Sequence, residues 1–234
     1  MQRRATITRQ SILNSAAGLF AARGYLGTSI RDISTVIGCT TGAVYFHFQS
    51  KEALARAILD AHYGTWPPMV EACLSRPGSG VERIVALSFR VAAAFRDDVV
   101  VRAGERLWNE HTVIAVDMPT PYVGWITYVE RLLRLAADEG ELRPGLEPAQ
   151  AARVLVAAFF GTHTISSALD GRQHLHEAVE QMWLVLLPGL QQYPDPRETL
   201  VRAQRGCASA PGVPAPGPSV ATAADQESRT AMDS

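Results

Sequence analysis

Between Thr6 and Arg23 the apolar residues Ile12, Leu13, Ala16, Leu19 and Phe20 recur at spacings of three and four, the signature of a helix that buries one face. Gly24 is expected to end it, because glycine takes the left-handed conformation past a helix C-terminus without a Cβ clash. Ser29, with Asp32 three residues on, predicts a capping box opening a second helix that runs to about Val36. Ile37-Gly38-Cys39-Thr40 then supplies a tight turn, and Thr40 is placed to cap a third helix through TTGAVYFHF. Ser50 caps a fourth, with Glu52 near its positive end and an apolar stripe of Ala53, Leu54, Ala57, Ile58 and Ala61. Pro67-Pro68 is expected to stop that helix at Trp66.

Past the loop RPGSG at 76–80, helical patterns run over about 81–96, 98–111, 121–139, 148–169 and 173–191, punctuated by Pro119, Pro121, Gly140, Pro144, Gly145, Pro148 and Gly171. Alternating strand patterns are absent, so the fold class is all-α. The expected domains are a helix-turn-helix DNA-binding unit over 1–50, a helical ligand-binding and dimerisation domain over 51–202, and a tail over 203–234. That tail turns abruptly to Ala, Pro, Ser and Gly and is expected to be disordered, since it has too little apolar surface to offset the entropy of ordering.

Composition excludes more than it selects. No segment approaches a run of about 18 unbroken apolar residues, so no membrane span is expected. Cys39, Cys73 and Cys207 are scattered without a C-x-x-C pair, which argues against disulfide frameworks and zinc ribbons and suits the cytoplasm. The basic start MQRRATITRQ lacks the apolar run of a signal peptide. No nucleophile elbow, H-E-x-x-H or phosphate-binding glycine loop is present. His174 and His176 are two apart, on different sides of a helix. An enzyme, a metal and a cofactor are therefore not expected.

Charge adds a direction. The formal net charge is −1, yet residues 1–60 hold seven Lys or Arg against three Asp or Glu. The positive end is the one suited to a polyanion. Together with two short helices joined by a glycine turn, it points to duplex DNA as a partner. On the third helix Val44 and Phe48 share the inward face, with Phe46 also read as core and His47 leaning structural. The outer face is left to Thr40, Thr41, Gly42, Tyr45 and His47. Gly42 permits close approach to the backbone, the hydroxyls of Thr28, Ser29 and Tyr45 suit phosphate oxygens, and Lys51 adds a point charge.

The run TSIRDISTVIGCTTGAVYFHFQSKEALA resembles the N-terminal domain of the tetracycline-repressor family. The matching positions are Gly24-Tyr25, Tyr45, His47, Phe48, Ser50, Lys51, Glu52 and Leu54, over about the first 60 residues. The resemblance implies homodimers whose paired recognition helices read a pseudo-palindromic operator, and a variable helical ligand domain. Thr41 departs from the lysine that closely similar regulators often carry after the capping threonine, and a hydroxyl is a less selective base reader than an amine. Val101–Leu107 and Pro121–Trp125 resemble, more narrowly, the gamma-butyrolactone, butenolide and furan-type autoregulator receptors. That likeness implies a repressor of antibiotic genes released by a small hormone. The alternative within the same family is a multidrug or antibiotic sensor.

A small oxygenated ligand with an alkyl tail wants an apolar cavity with a few placed donors. Candidate lining residues are Tyr63, Trp66, Ile84, Leu87, Val91, Trp108, Tyr122, Trp125, Phe159 and Thr162, whose indole and phenol groups can hold a lactone carbonyl or a furan carboxylate. By the resemblance, Trp125 leads, then Tyr122 and Tyr63. The apolar faces Val154, Leu155, Ala158, Phe159, Ile165 and Val179, Met182, Trp183, Leu186, Leu187 are expected to form a four-helix dimer interface.

Overall fold

The computed structural model describes residues 2–114, 120, 122–192 and 195–208, with side chains described over 9–114, 120, 122–192 and 195–205. Its elements are α1 (Gln2–Arg23), α2 (Ile30–Ile37), α3 (Thr41–His47), α4 (Lys51–Leu74), α5 (Gly80–Asp97), α6 (Val99–Asn109), a 3-10 turn (His111–Val113), α7 (Val123–Asp138), α8 (Pro148–Asp170), α9 (Leu175–Leu190) and α10 (Pro196–Ala208). Among the described residues there is no strand, only a single antiparallel bridge between Leu142 and Gln191. Pro119, Pro121 and the chain beyond 208, named above as punctuation and tail, lie outside the described residues.

The caps form where the side chains require them. Ser29 accepts from the Asp32 N–H while the Asp32 carboxylate accepts from the Ser29 N–H, closing the reciprocal box. Gly38 ends α2 at φ 72°, a conformation that costs little only for glycine. The hydroxyls of Thr40 and Ser50 accept from the N–H groups of Ala43 and Ala53. These fix α1, α2 and α3 around a core of Ile12, Ala16, Phe20, Ile33, Val44 and Phe48, shared with Leu54 and Ile58 of α4. A second core gathers the latter half of α4 with α5 and α7–α10, centred on Val85, Leu133, Leu175 and Trp183.

Two expectations are corrected. α4 does not stop at Trp66 but runs through Pro67 and Pro68 to Leu74. Each proline removes one helical hydrogen bond at a cost of about 3 kcal/mol. The inward stripe offsets it: Ile58, His62, Trp66, Met69, Val70 and Cys73 are all buried, and each large apolar side chain contributes about 1.5–3 kcal/mol. The other correction is α10, which carries helix across the expected start of a disordered tail at 203. Leu200 and Ala203 are buried against the second core, and the Arg76 guanidinium donates to the Ala203 carbonyl at 3.1 Å.

α8 contains no unbroken run of about 18 apolar residues. By length and composition its 23 residues would still suffice for a membrane span. Its inward face is nonetheless in protein, with Ala152, Leu155, Val156, Phe159 and His163 buried.

Candidate functional site

The head presents a short helix whose two faces are chemically distinct. Val44 and Phe48 point into the core, while Thr41, Gly42 and Tyr45 are exposed. Phe46 corrects the reading of it as core: it is 83% exposed. The helical rotation of about 100° per residue sets position 46 nearly opposite both 44 and 48. Its ring meets His47 edge-on with centroids 5.2 Å apart, and His47 is half-buried. Thr40 is exposed, but its hydroxyl caps α3.

Three residues read as phosphate contacts are engaged by groups of the head itself, Ser29 at its surface. Thr28 is 1% exposed and its hydroxyl donates to the Gly24 carbonyl at 2.9 Å. Lys51 Nζ donates to the carbonyls of Tyr25 (3.0 Å) and Thr28 (3.1 Å) and sits 4.1 Å over the Tyr25 ring. The Ser29 hydroxyl is held by Asp32. These groups lock the α1–α2 turn, because a turn that buries Tyr25 must satisfy its own carbonyls. The Tyr25 phenol donates to Glu52 and is pushed up to about 12 by burial and then by that carboxylate. Exposed cations that were counted in the sequence but not singled out are Arg23, Arg31 and Arg56, along with Arg9, whose guanidinium lies over Phe48.

The second site is a cavity of about 940 Å³ bounded by α1, α4, α5, α6, α7 and α8. Tyr63, Trp66, Trp108, Tyr122 and Trp125 all line it. Trp66 stacks edge-on to Trp125 at 5.2 Å and leans on Phe95 at 5.6 Å, and Tyr122 meets Phe160 at 4.7 Å. Among the described residues, none accepts from the indole N–H groups of Trp66, Trp108 or Trp125. Leu87, Val91 and Phe159 are not in this cavity. With Ile84 they surround a separate space of about 40 Å³ behind Trp125 and Phe160, where the Trp183 N–H donates to Ser88 at 2.8 Å. Thr162 lines neither space. α8 turns Phe160, His163, Thr164 and Ser167 toward the main cavity, and position 162 falls off that stripe.

Sequence reading missed the polar end of the cavity. Glu105 on α6 and Arg172 after α8 form an ion pair, and Arg172 Nε donates to His163 Nε2 at 3.0 Å. His163 is 1% exposed. Burial, then the neighbouring guanidinium, holds it down to about 4, so it is neutral at pH 7 with its proton on Nδ1, 3.6 Å from Glu105. Burial pushes the Glu105 carboxyl up, against the pull of Arg172. Tyr122 (φ 64°) and Arg172 (φ 73°) are the non-glycine residues with positive φ among those described, and both line the cavity. Such strain, about 1–3 kcal/mol each, persists where the surroundings enforce it. A stripe of Phe160, His163, Thr164 and Ser167 at spacings of three, four and seven was the available signal for α8. Nothing local announced the pairing of Glu105 with a residue 67 positions away.

α6 belongs to both sites. Arg102, Glu105, Arg106, Trp108 and Asn109 face the cavity, while Ala103 and Leu107 are buried in the head core. Gly104 lies so near His62 of α4 that a Cβ would sit 2.3 Å from its ring. His62 donates Nδ1–H to the Val101 carbonyl at 3.1 Å and is held down to about 4 by burial. Glu110, just past α6, accepts from the Tyr25 N–H at 2.6 Å and pairs with Arg106 at 2.6 Å.

A helix-turn-helix head joined to an aromatic cavity through one shared helix defines a DNA-binding regulator with a small-molecule sensor. Residues 12–58 match the model described as bacterial regulatory proteins, tetR family, and residues 78–192 match the tetracyclin repressor-like C-terminal domain. The chain belongs to the tetracycline-repressor (TetR) family. It is 36% identical over 189 residues to the A-factor receptor protein of Streptomyces griseus, covering 81% of this chain and 66% of that protein's length, just under two thirds. A solved structure described as the molecular basis for control of antibiotic production by bacterial hormones is 42% identical, with a TM-score of 0.71 over 79% of this chain and 97% of its own. The crystal structure of a gamma-butyrolactone receptor, ArpA-like, is 27% identical, with a TM-score of 0.72 over 88% and 100%.

Proposed function

We propose that this protein is a transcriptional repressor that holds a pseudo-palindromic operator as a homodimer and lets go when a hormone-like small molecule enters the aromatic cavity. The ligand classes are gamma-butyrolactones, butenolides and alkylfuran carboxylates, and the regulated genes belong to secondary metabolism. The observation that carries the reading is α6, which lines the cavity with one face and completes the head core with the other. Support also comes from the hormone- and lactone-receptor relatives. As a regulator of chromosomal genes it acts in the cytoplasm.

In this reading Thr41, Gly42, Tyr45 and Phe46 meet the major groove, while Arg9, Arg23 and Arg31 meet phosphates. Thr28, Ser29, Thr40 and Lys51 act one step back, by fixing the turns that aim α3. His47 stays on the margin. Trp125, Tyr122, Tyr63, Trp66 and Trp108 hold the ligand, and Leu87, Val91 and Phe159 support Trp125 from behind. The dimer face is the outer side of α8 and α9, where Val154, Ile165, Leu169 and Val185 are exposed. Leu155, Phe159, Val179, Trp183 and Leu187, assigned to that interface from periodicity, are buried within the subunit instead. Pairing two heads sets the recognition helices about one DNA turn apart, about 34–36 Å. The ligand must favour the released state by about 1–3 kcal/mol.

The test is a gel shift on the promoter beside the protein's own gene, challenged with a butyrolactone, a butenolide and an alkylfuran carboxylate. The expected result is a shift abolished by at least one of them. A panel of cationic drugs should leave it intact, and drugs releasing the DNA in place of all three would favour a multidrug sensor. Trp125→Ala should abolish release while leaving operator affinity nearly unchanged.

A further inference from the structure

We propose that Arg172 is the residue that selects the ligand, reading a carboxylate at its polar end, and that this carboxylate takes Arg172 from Glu105 on α6. The inference rests on the sensor reading above and narrows its ligand to an acid. The cavity wall is mostly aromatic, but its charged lining among the described residues is biased: Arg102, Arg106 and Arg172 against the carboxylate of Glu105. Two of these cations are drawn to groups that do not line the cavity. Arg106 Nε is bonded to Glu110, and Arg102 Nη1 donates to the Arg96 carbonyl.

Arg172 differs. Its Nε donates to His163 and its Nη2 to Glu105. Nη1, with two N–H donors, has no partner among the described residues. Its second neighbour is a neutral imidazole, so the guanidinium is oriented by an acceptor that adds no negative charge. A fork so held presents the bidentate geometry that suits a carboxylate, and charge-assisted pairs of this kind are roughly twice as strong as neutral hydrogen bonds. A lactone carbonyl accepts without charge and cannot compete with Glu105 for the same fork.

The exchange has a consequence along α6. Glu105 lies about 1.4 helical turns before Glu110, which grips the Tyr25 N–H of the head. Loss of the Arg172 pair weakens the tie between α6 and the end of α8, leaving His163 Nδ1 at 3.6 Å from Glu105. Because Glu105 is already a weakened acid through burial, it can take up a proton on losing its partner rather than remain an uncompensated charge.

The test uses 2-hexylfuran-3-carboxylic acid and its methyl ester, alike in shape and different in charge, with the full-length protein at neutral pH. Quenching of the cavity tryptophans reads Kd without DNA. The acid is expected to bind at least ten-fold more tightly than the ester. Arg172→Gln should bring the acid to the level of the ester and leave the ester within three-fold of its original Kd. Glu105→Gln, which removes the competitor and keeps Arg172, should tighten the acid several-fold and leave the ester unmoved; it serves even if Arg172→Gln fails to fold. Equal binding of acid and ester, preference for the ester, or no quenching by the acid would overturn the inference. Release of the operator by a gamma-butyrolactone would persist in those cases, whereas failure of the sensor reading itself would remove ligand-dependent release altogether.

Discussion

Phe46 and Phe48 stand two apart in one short helix and do opposite work. Phe48→Ala empties a core position and is expected to cost about 3–5 kcal/mol. Phe46→Ala removes a ring that is already in solvent, so stability should stay within about 0.5 kcal/mol while operator affinity falls about ten-fold. Urea unfolding and DNA titration on the two variants separate these outcomes. His62 and His163 give a second residue-level test. Both are held down to about 4 by burial, so between about pH 4 and 6.5 the unfolded chain binds more protons than the folded one. Stability then rises with pH across that window by about 1.4 kcal/mol per unit for each histidine, and is fully present above it. Unfolding at pH ~7 and ~5.5 should show a loss of about 2–3 kcal/mol on acidification, roughly halved in His163→Gln. An undiminished loss in that variant would contradict the assignment. The caps at Ser29, Thr40 and Ser50 were legible because they are local rules of three-residue spacing. The engagement of Thr28 and Lys51 within the head was not, since it depends on a turn closed by residues 23 to 26 positions apart.

At the scale of elements, helix number and order followed from periodicity up to α9, while α4 and α10 show where local rules yield to packing. Pro67-Pro68 breaks a helix in isolation; here the buried stripe on either side carries the helix through. α10 was hidden because its polar composition merges with the Ala- and Pro-rich stretch that follows. The cavity's aromatic wall was legible from residue type, and its polar end was not, because Glu105, His163 and Arg172 come together only through tertiary structure. α6 is the element on which the proposed mechanism turns. Glu110→Ala removes the acceptor for the Tyr25 N–H, so ligand should still quench the tryptophans with unchanged Kd while the ligand-induced loss of operator affinity shrinks by about 1–2 kcal/mol. Unchanged release in that variant would mean that the signal passes elsewhere.

At the scale of the whole molecule, the proposal requires two chains. Leu169 is 81% exposed and shares the outer side of α8 and α9 with Val154, Ile165 and Val185, a patch that a lone subunit would leave wet. Leu169→Glu is expected to give monomers of 25.3 kDa in sedimentation, with folded heads but operator affinity reduced at least a hundred-fold, because each head then binds without its partner. The most direct measurement of the central claim is fluorescence anisotropy of a labelled promoter fragment from beside the protein's own gene, titrated with protein at two salt concentrations and then with ligand. The expected result is two chains per half-site pair, affinity that drops steeply with salt as phosphate contacts require, and return to the free anisotropy when the small molecule is added. Binding that ignores salt, or a complex that no small molecule of the three classes dissolves, would contradict it.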